Sequence, residues 1–473
     1  MPREEMNVNQ LGMLQGAAAV QEGFRRSMGV KLLVVCGLAL VMTIPSLFVG
    51  SLLNERTSRA ADVVREISAH VGGQQTFLGP TLAIPYTVPA DGKHGVYLVF
   101  PAQASANVKT ATQERKRSLF KVPVFQADLK LDAAFDIAGV PAAAPEGAVL
   151  DWSRAEIVVG VSDARGALSD AVLTIDGKNS TMAPAGITPD MTLNGEQGQQ
   201  STLSLFGARL GGAAQPSARF NVSAMLRFSG AQRIALLAYG KTTHLAVQGD
   251  WQSPGFDGGF LPVSRSLGDK GFSAEWSVPF IARGVSAEGA AGAIRALDAT
   301  ALGVSFIEVA DPYQSVTRSL KYVPLFLGLV FLSFFVFEVT TGKRVHPAQY
   351  VLVGVAQVIF YLLLLSLAER IGFDFGFLLA GAATVGLLAA NTAWIFASRL
   401  QGFRALAIFG MLYVLIYLLL RLEDDALLVG AIASFAAVAA VMYFTRRIDW
   451  YGSLPGTDSP DRPGGAAVPG QMA

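Results

Sequence analysis

The run LLVVCGLALVMTIPSLFVGSLLN, from Leu32 to Asn54, carries no charge. About 20 apolar residues in a row are enough for a helix to cross a hydrocarbon core. This run therefore reads as a transmembrane helix over 32–54. It is longer than the apolar stretch of a secretory signal peptide, and no small-x-small cleavage pattern follows it, so it reads as an uncleaved anchor. Arg25, Arg26 and Lys31 stand just before it, which by the positive-inside rule keeps residues 1–31 cytoplasmic and sends the following chain outward.

The next long apolar run begins at Tyr322, and five spans are expected from there: 322–339, 347–367, 375–397, 405–420 and 426–444. Loop charges test the count. With alternating helices the inner side receives Lys343 and Arg344, then Arg399 and Arg404, then Arg446 and Arg447, whereas neither outer loop has a basic excess. Six spans with both termini cytoplasmic is the consistent solution, and Tyr322, Trp450 and Tyr451 suit the interfacial aromatic belt. The whole-chain figures agree: 52% hydrophobic residues and a mean hydropathy of +0.42 are too apolar for an ordinary soluble protein. A formal net charge of +1 argues against nucleic acid as a partner. The lone cysteine, Cys36, lies in the first apolar run, so no intrachain disulfide forms.

Residues 55–321 form the block between the first and second spans, expected outside the cytoplasm. Ala60, Val63, Val64, Ile67 and Val71 recur at helical spacing between charges, an amphipathic helix expected to pack on the sheet that follows. The period then changes to two. Phe125, Ala127, Leu129, Leu131 and Ala133 alternate with polar residues, as do Phe220, Val222, Ala224, Leu226 and Phe228, so each set marks a strand with one buried face. Further strand-like runs start at Ala155, Thr243 and Leu302, with Gly, Pro, Asp and Ser-rich turns between. The fold class expected is an integral membrane protein, with one N-terminal and five C-terminal helices flanking a mainly β, antiparallel sandwich-like domain. The expected segments are 1–31 cytoplasmic, 32–54 spanning, 55–321 exported, 322–444 the five-helix part, and 445–473 a cytoplasmic tail too rich in Gly and Pro to pack.

Chemical signatures are sparse. His70, His94, His244 and His346 show no metal-ligand spacing, and no GxSxG elbow, Walker loop or dinucleotide fingerprint is present, so no metal, cofactor or catalytic residue is expected. A hydrolase would instead require a Ser, a His and a carboxylate to converge in a pocket. The mid-span polar groups, Gln357 and Asn391, are neutral and suit bonds between helices, while Glu338, Glu369 and Arg421 fall near span ends. Gly376, Gly381 and Gly386 suit close helix contact. Two turns, WQSPGFDGGFLP from Trp251 and GFSAEWSVPFIARG from Gly271, join bulky rings to turn residues and read as caps on a sandwich edge rather than a recognition surface.

These turns, taken with GPTLAIPY from Gly79, ERKRSLFKVPVFQADL from Glu114, DWSRAEIVVGVSDARG from Asp151, DPYQSVTRSLKY from Asp311, FEVTTGKRVHPAQYVLVG from Phe337, LEDDALLVG from Leu422 and MYFTRRIDWY from Met442, resemble the CreD family of bacterial inner-membrane proteins. The pattern departs at the SLF after Arg117, where a Gly-Ile-Tyr-like turn is expected, and at VGGQQ from Val71, which lacks a Trp. The resemblance implies an inner membrane protein with a large periplasmic domain, produced under two-component control and linked to envelope integrity and stress tolerance. It implies no catalytic residue. Trp251, Pro254, Phe256, Pro262, Trp276, Tyr313, Arg318 and Lys321 are carried over as family-pattern positions without a role. The expected partners are membrane lipids and, through the exported domain, an envelope component or protein. The alternative is a transporter or lipid-handling protein using the C-terminal helices.

Overall fold

A computed structural model describes residues 28–90, 92–117, 120–187, 192–194, 200–210, 218–306, 312–343, 345–422 and 426–446. The chain divides into a helical unit, Met1–Arg56 with Ala310–Ala473, and a β-rich unit, Thr57–Val309. The lead-in before Met28 and the tail after Arg446 lie outside the described residues, as do Arg25, Arg26, Arg344, Arg447, Trp450 and Tyr451.

Helix α1 is one continuous element, Met28–Val71. The sequence pattern changes from uniformly apolar to amphipathic near Asn54, but residues 51–71 hold neither Gly nor Pro, so the helix runs on through the change; Pro45, which has no N–H to donate, takes one bond from the ladder within the first half. At 1.5 Å per residue α1 is about 66 Å long, roughly twice the thickness of a hydrocarbon core. Its first half leaves Leu33, Leu40 and Leu47 about 70% exposed (72%, 69% and 71%), as suits a lipid-facing surface. The opposite side, Val35, Met42, Val49 and Leu53, is buried in the helical core.

The helical unit continues with α3 (Pro312–Lys321), α4 (Val323–Thr341), α5 (Pro347–Ile371), α6 (Phe373–Phe396), α7 (Arg399–Arg421) and α8 (Ala426–Thr445), while α2 (Phe280–Arg283) is a single turn in the β-rich unit. With α1, the five apolar helices α4 to α8 give one N-terminal and five C-terminal membrane helices. The sequence reading extended the exported block to Lys321. By packing, Pro312–Lys321 goes with the helices, because Tyr313, Val316 and Leu320 share one face of α3 and lie in that core. Helix α4 ends where Gly342 takes φ 68°, a left-handed cap open to glycine at little cost, and its N–H bonds back to the Glu338 carbonyl at 3.0 Å. Gly354 lets α1 approach α5, since a Cβ there would lie 2.5 Å from Met42 Cγ. Among the three glycines singled out in sequence, Gly376 and Gly381 do abut a neighbour, whereas Gly386 has nothing within 4 Å.

In the β-rich unit two large sheets enclose a core, and a two-stranded ribbon, Thr192–Asn194 with Gln200–Thr202, stands apart from them. The first runs, in spatial order, Pro254–Gly258, Ala301–Phe306, Arg233–Leu237, Gln75–Val88, Glu156–Val161, Ser204–Arg209 and Ala183–Pro184, with shorter strands beside it. The second runs Ser264–Gly268, Gly271–Val278, Thr242–Gly249, Gln103–Arg117, Phe120–Asp136, Arg219–Ala231, Val172–Ile175 and Lys178–Thr181. The alternating residues read from sequence, Phe125 to Ala133 and Phe220 to Phe228, all face the core. Glu156–Val161 is buried on both faces, which is why its sequence is a continuous apolar run rather than an alternation. Pairing is antiparallel except at two places, Gln75–Val88 with Arg233–Leu237 and Gln103–Arg117 with Thr242–Gly249, each joined by long connections. The amphipathic end of α1 sets Val64, Ile67 and Val71 against Val122, Val124 and Ala231.

Candidate functional site

The second sheet turns its outer face to solvent, and strand register aligns small polar side chains across it. Ser277 stands opposite His244, His244 opposite Ser105, Ser105 opposite Asp132, Asp132 opposite Ser223, Ser223 opposite Thr174, and Thr174 opposite Asn179. Neighbouring strands lie about 4.8 Å apart, so the row presents a polar group at each such step. Short side chains leave hollows above it. One of about 310 Å³ is lined by Ser105, Asp132, Thr174, Asn221, Ser223 and His244. A second of about 280 Å³ shares Ser105 and His244 and extends to Ser277 and Glu275. A third, about 560 Å³, lies along Lys109, Gln248, Ser266 and Lys270 on the same sheet.

Charge on this face is largely cancelled in place. Arg227 meets Asp128 at 3.0 Å, Arg219 meets Asp136 at 3.0 Å, and Lys130 meets Asp132 at 3.4 Å. The Ala138 N–H and the Arg219 guanidinium hold the Asp136 carboxyl below the usual carboxylate range. The hydroxyls are less committed: the buried Ser223 Oγ has no partner among the described residues.

A serine, a histidine and a carboxylate therefore do share one hollow. Their order decides what chemistry they can do. A serine hydrolase needs the imidazole between the hydroxyl and the carboxylate, which orients it. Here Ser105 occupies the middle place, and His244 stands two strands, about 10 Å, from Asp132. The row offers hydrogen bonds, not an activated nucleophile.

The family-pattern positions do not form one site. Trp276 is buried, its Nε1–H donating to the Phe260 carbonyl at 3.0 Å, and Phe256 packs edge-on to Phe272 and Trp276. Trp251 meets Phe306 edge-on, Pro254 opens the strand paired with Phe306, and Pro262 is half-buried at the start of the edge strand. These residues close one end of the sandwich, with their rings turned inward. Trp276→Phe removes the N–H and leaves a gap, with an expected loss of about 2 kcal/mol read by chemical unfolding. Tyr313, Arg318 and Lys321 belong to the helical unit, where Tyr313 donates to Glu369 Oε1 at 3.1 Å, Arg318 is half-buried and Lys321 is exposed.

Among the expected topology residues, Lys31 has a second role. Glu338 is 1% exposed, and its carboxylate accepts from Lys31 Nζ, from the Val345 N–H at 3.0 Å and from the Tyr350 hydroxyl at 3.0 Å. Lys31 Nζ also donates to the Val345 carbonyl at 2.9 Å. This node ties α1, α4, Val345 and α5 together. Lys343 donates to the Phe396 carbonyl at 2.5 Å, at the carbonyl-rich end of α6. Arg399 and Arg404 are exposed on the first turns of α7, and Arg446 lies over the Tyr443 ring at 4.2 Å. At the other ends of the helices Arg56 and Tyr313 flank Glu369, and Arg421 pairs with Asp374. Midway along α5, Gln357 bonds to Tyr413 of α7, as its neutral polar character suggested, while Asn391 is only half-buried.

Comparison with known proteins agrees with this architecture. The family described as inner membrane protein CreD matches over residues 27–451. Inner membrane protein CreD of Escherichia coli (strain K12) is 31% identical over 438 residues, covering 89% of this chain and 93% of that protein.

Proposed function

The chain belongs to the CreD family of inner membrane proteins, and on that premise we propose that it is a non-enzymatic envelope protein, produced under two-component control, that supports envelope integrity and stress tolerance. The β-rich unit is its periplasmic working part, and the helical unit holds it in the membrane with both termini in the cytoplasm. The observation that carries this reading is the polar row from Ser277 to Asn179, a broad hydrogen-bonding surface over hollows. Its carboxylates are matched by Arg227, Arg219 and Lys130, so the surface favours an uncharged polar envelope component over a polyanion. The position of Ser105 between His244 and Asp132 supports binding over hydrolysis.

Filling the hollow tests this without touching the core, because Ser105 is exposed. A deletion strain is expected to become more sensitive to detergent and antibiotics under conditions that induce the protein. The unaltered chain should restore resistance, and Ser105→Trp with His244→Trp, both at exposed positions, should fail to do so at equal membrane abundance. Full restoration by the filled variant would show that this face is not the working surface.

A further inference from the structure

Two polar side chains on one face of α5 are buried in the helical core, each with an atom that has no partner among the described residues. Gln357 is 0% exposed and Tyr361 1%, and they stand one turn apart, so they are neighbours along the helix. Gln357 Oε1 accepts from the Tyr413 hydroxyl at 3.0 Å, but its Nε2 has no partner, nor does the Tyr361 hydroxyl, among the described residues. Turning the amide over does not remove the difficulty. The Tyr413 hydroxyl would then accept from the nitrogen, and the amide oxygen would be left unpaired. The Thr384 hydroxyl of α6 donates to its own helix at the Ala380 carbonyl at 2.8 Å, and no described atom pairs with Gln357 Nε2 or the Tyr361 hydroxyl.

An unpaired polar group costs far more in a low-dielectric bundle than in water. Two adjacent ones point to a guest. We propose that Gln357 and Tyr361 form an internal binding site for a water molecule midway along α5. The guest has to accept from the Gln357 amide and exchange a hydrogen bond with the Tyr361 hydroxyl, and water does both at once. It has to be small, because the rings of Phe360, Phe377 and Phe326 crowd Tyr413 and Tyr361. It carries no charge, because the buried carboxylates of the unit are engaged elsewhere, Glu338 by Lys31 and Glu369 by Tyr313. The site links α5 to α7 through Tyr413 and makes the Gln357 bond part of a satisfied network instead of a half-satisfied one.

The sign of one substitution separates a wet site from a dry one. Tyr361→Phe keeps the ring and removes only the hydroxyl. In a hydrated site the water loses a partner, and the melting temperature of the detergent-purified full chain falls by several degrees. In a dry site an unpaired hydroxyl is removed, and the melting temperature holds or rises. Radiolytic hydroxyl labelling gives a second readout that does not depend on stability. Tyr361, though buried, should be labelled in the unaltered protein by radicals from bound water, and Gln357→Leu should abolish that labelling. An unlabelled Tyr361, or a melting temperature of Tyr361→Phe at or above that of the unaltered chain, overturns the proposal.

Discussion

Lys31→Met is expected to destabilise the helical unit by about 3–5 kcal/mol, more than Glu338→Gln does, although both substitutions break the same ion pair. The asymmetry comes from burial. The Glu338 side chain is 1% exposed and that of Lys31 23%. Without the ammonium, the carboxylate keeps only the Val345 N–H and the Tyr350 hydroxyl in apolar surroundings, so an uncompensated charge remains inside. Without the carboxylate charge, Lys31 can turn its head toward water along its aliphatic stem, and the Gln carbonyl still accepts from Val345. That loss should be nearer about 1–2 kcal/mol. Combining Lys31→Met with Glu338→Gln should recover most of what Lys31→Met alone loses, because no buried charge is left. Thermal unfolding of the four proteins in one detergent measures the cycle. Equal single losses, or a double variant worse than Lys31→Met, would refute the buried-charge account. Arg25 and Arg26 still precede the span in every variant, so the basic flank of α1 is retained.

Glu338 also shows where a single sequence stops being informative. By position it sits near the end of a span, and an end is ordinarily wet. The turn after Gly342 folds back and places Val345 over it, a fact of tertiary packing that no periodicity records. The apolar runs were legible because a bilayer imposes one length and one polarity on each helix. Phe125 to Ala133 and Phe220 to Phe228 were legible because a half-buried strand must alternate. Each member of the polar row was visible as the outward half of such an alternation. What could not be read was their alignment, since the placing of Ser105 between His244 and Asp132 depends on one parallel and one antiparallel pairing. The parallel pairing joins residues more than a hundred positions apart in sequence. The continuity of α1 through Asn54 was hidden by a change of pattern, apolar to amphipathic, that alters what surrounds the helix and not the helix itself.

Arg283 is the other residue whose burial its chemistry conceals, and Arg283→Ala is expected to cost the β-rich unit about 3 kcal/mol or more. The residue is 3% exposed and pairs with no carboxylate among the described residues. Its Nε donates to the Ala238 carbonyl at 2.8 Å, its Nη1 reaches the Val285 and Ser286 carbonyls at 3.3 and 3.2 Å, and the guanidinium lies 4.1 Å from the centre of the Phe100 ring. Alanine leaves those carbonyls without a donor and the ring without a neighbour. Burial pushes the guanidinium down to about 10, so the folded state holds this proton less tightly than the unfolded chain does. The sign follows by linkage: stability gains as pH rises above about 10 toward the ordinary arginine range, and below that window the cost of burying the charge is constant. Arg283→Met then separates the two contributions, since it retains most of the packing on Phe100 and removes the charge. If the carbonyl bonds dominate, methionine is nearly as damaging as alanine; if desolvation of the charge dominates, methionine matches or exceeds the unaltered stability. We expect the first, because three carbonyls converge on the group, and the alkaline gain should vanish in either variant. Urea unfolding followed by tryptophan fluorescence, at neutral pH and again near about pH 11.5, reads both effects. A methionine variant as stable as the original chain would show that Arg283 is held for its shape rather than for its hydrogen bonds.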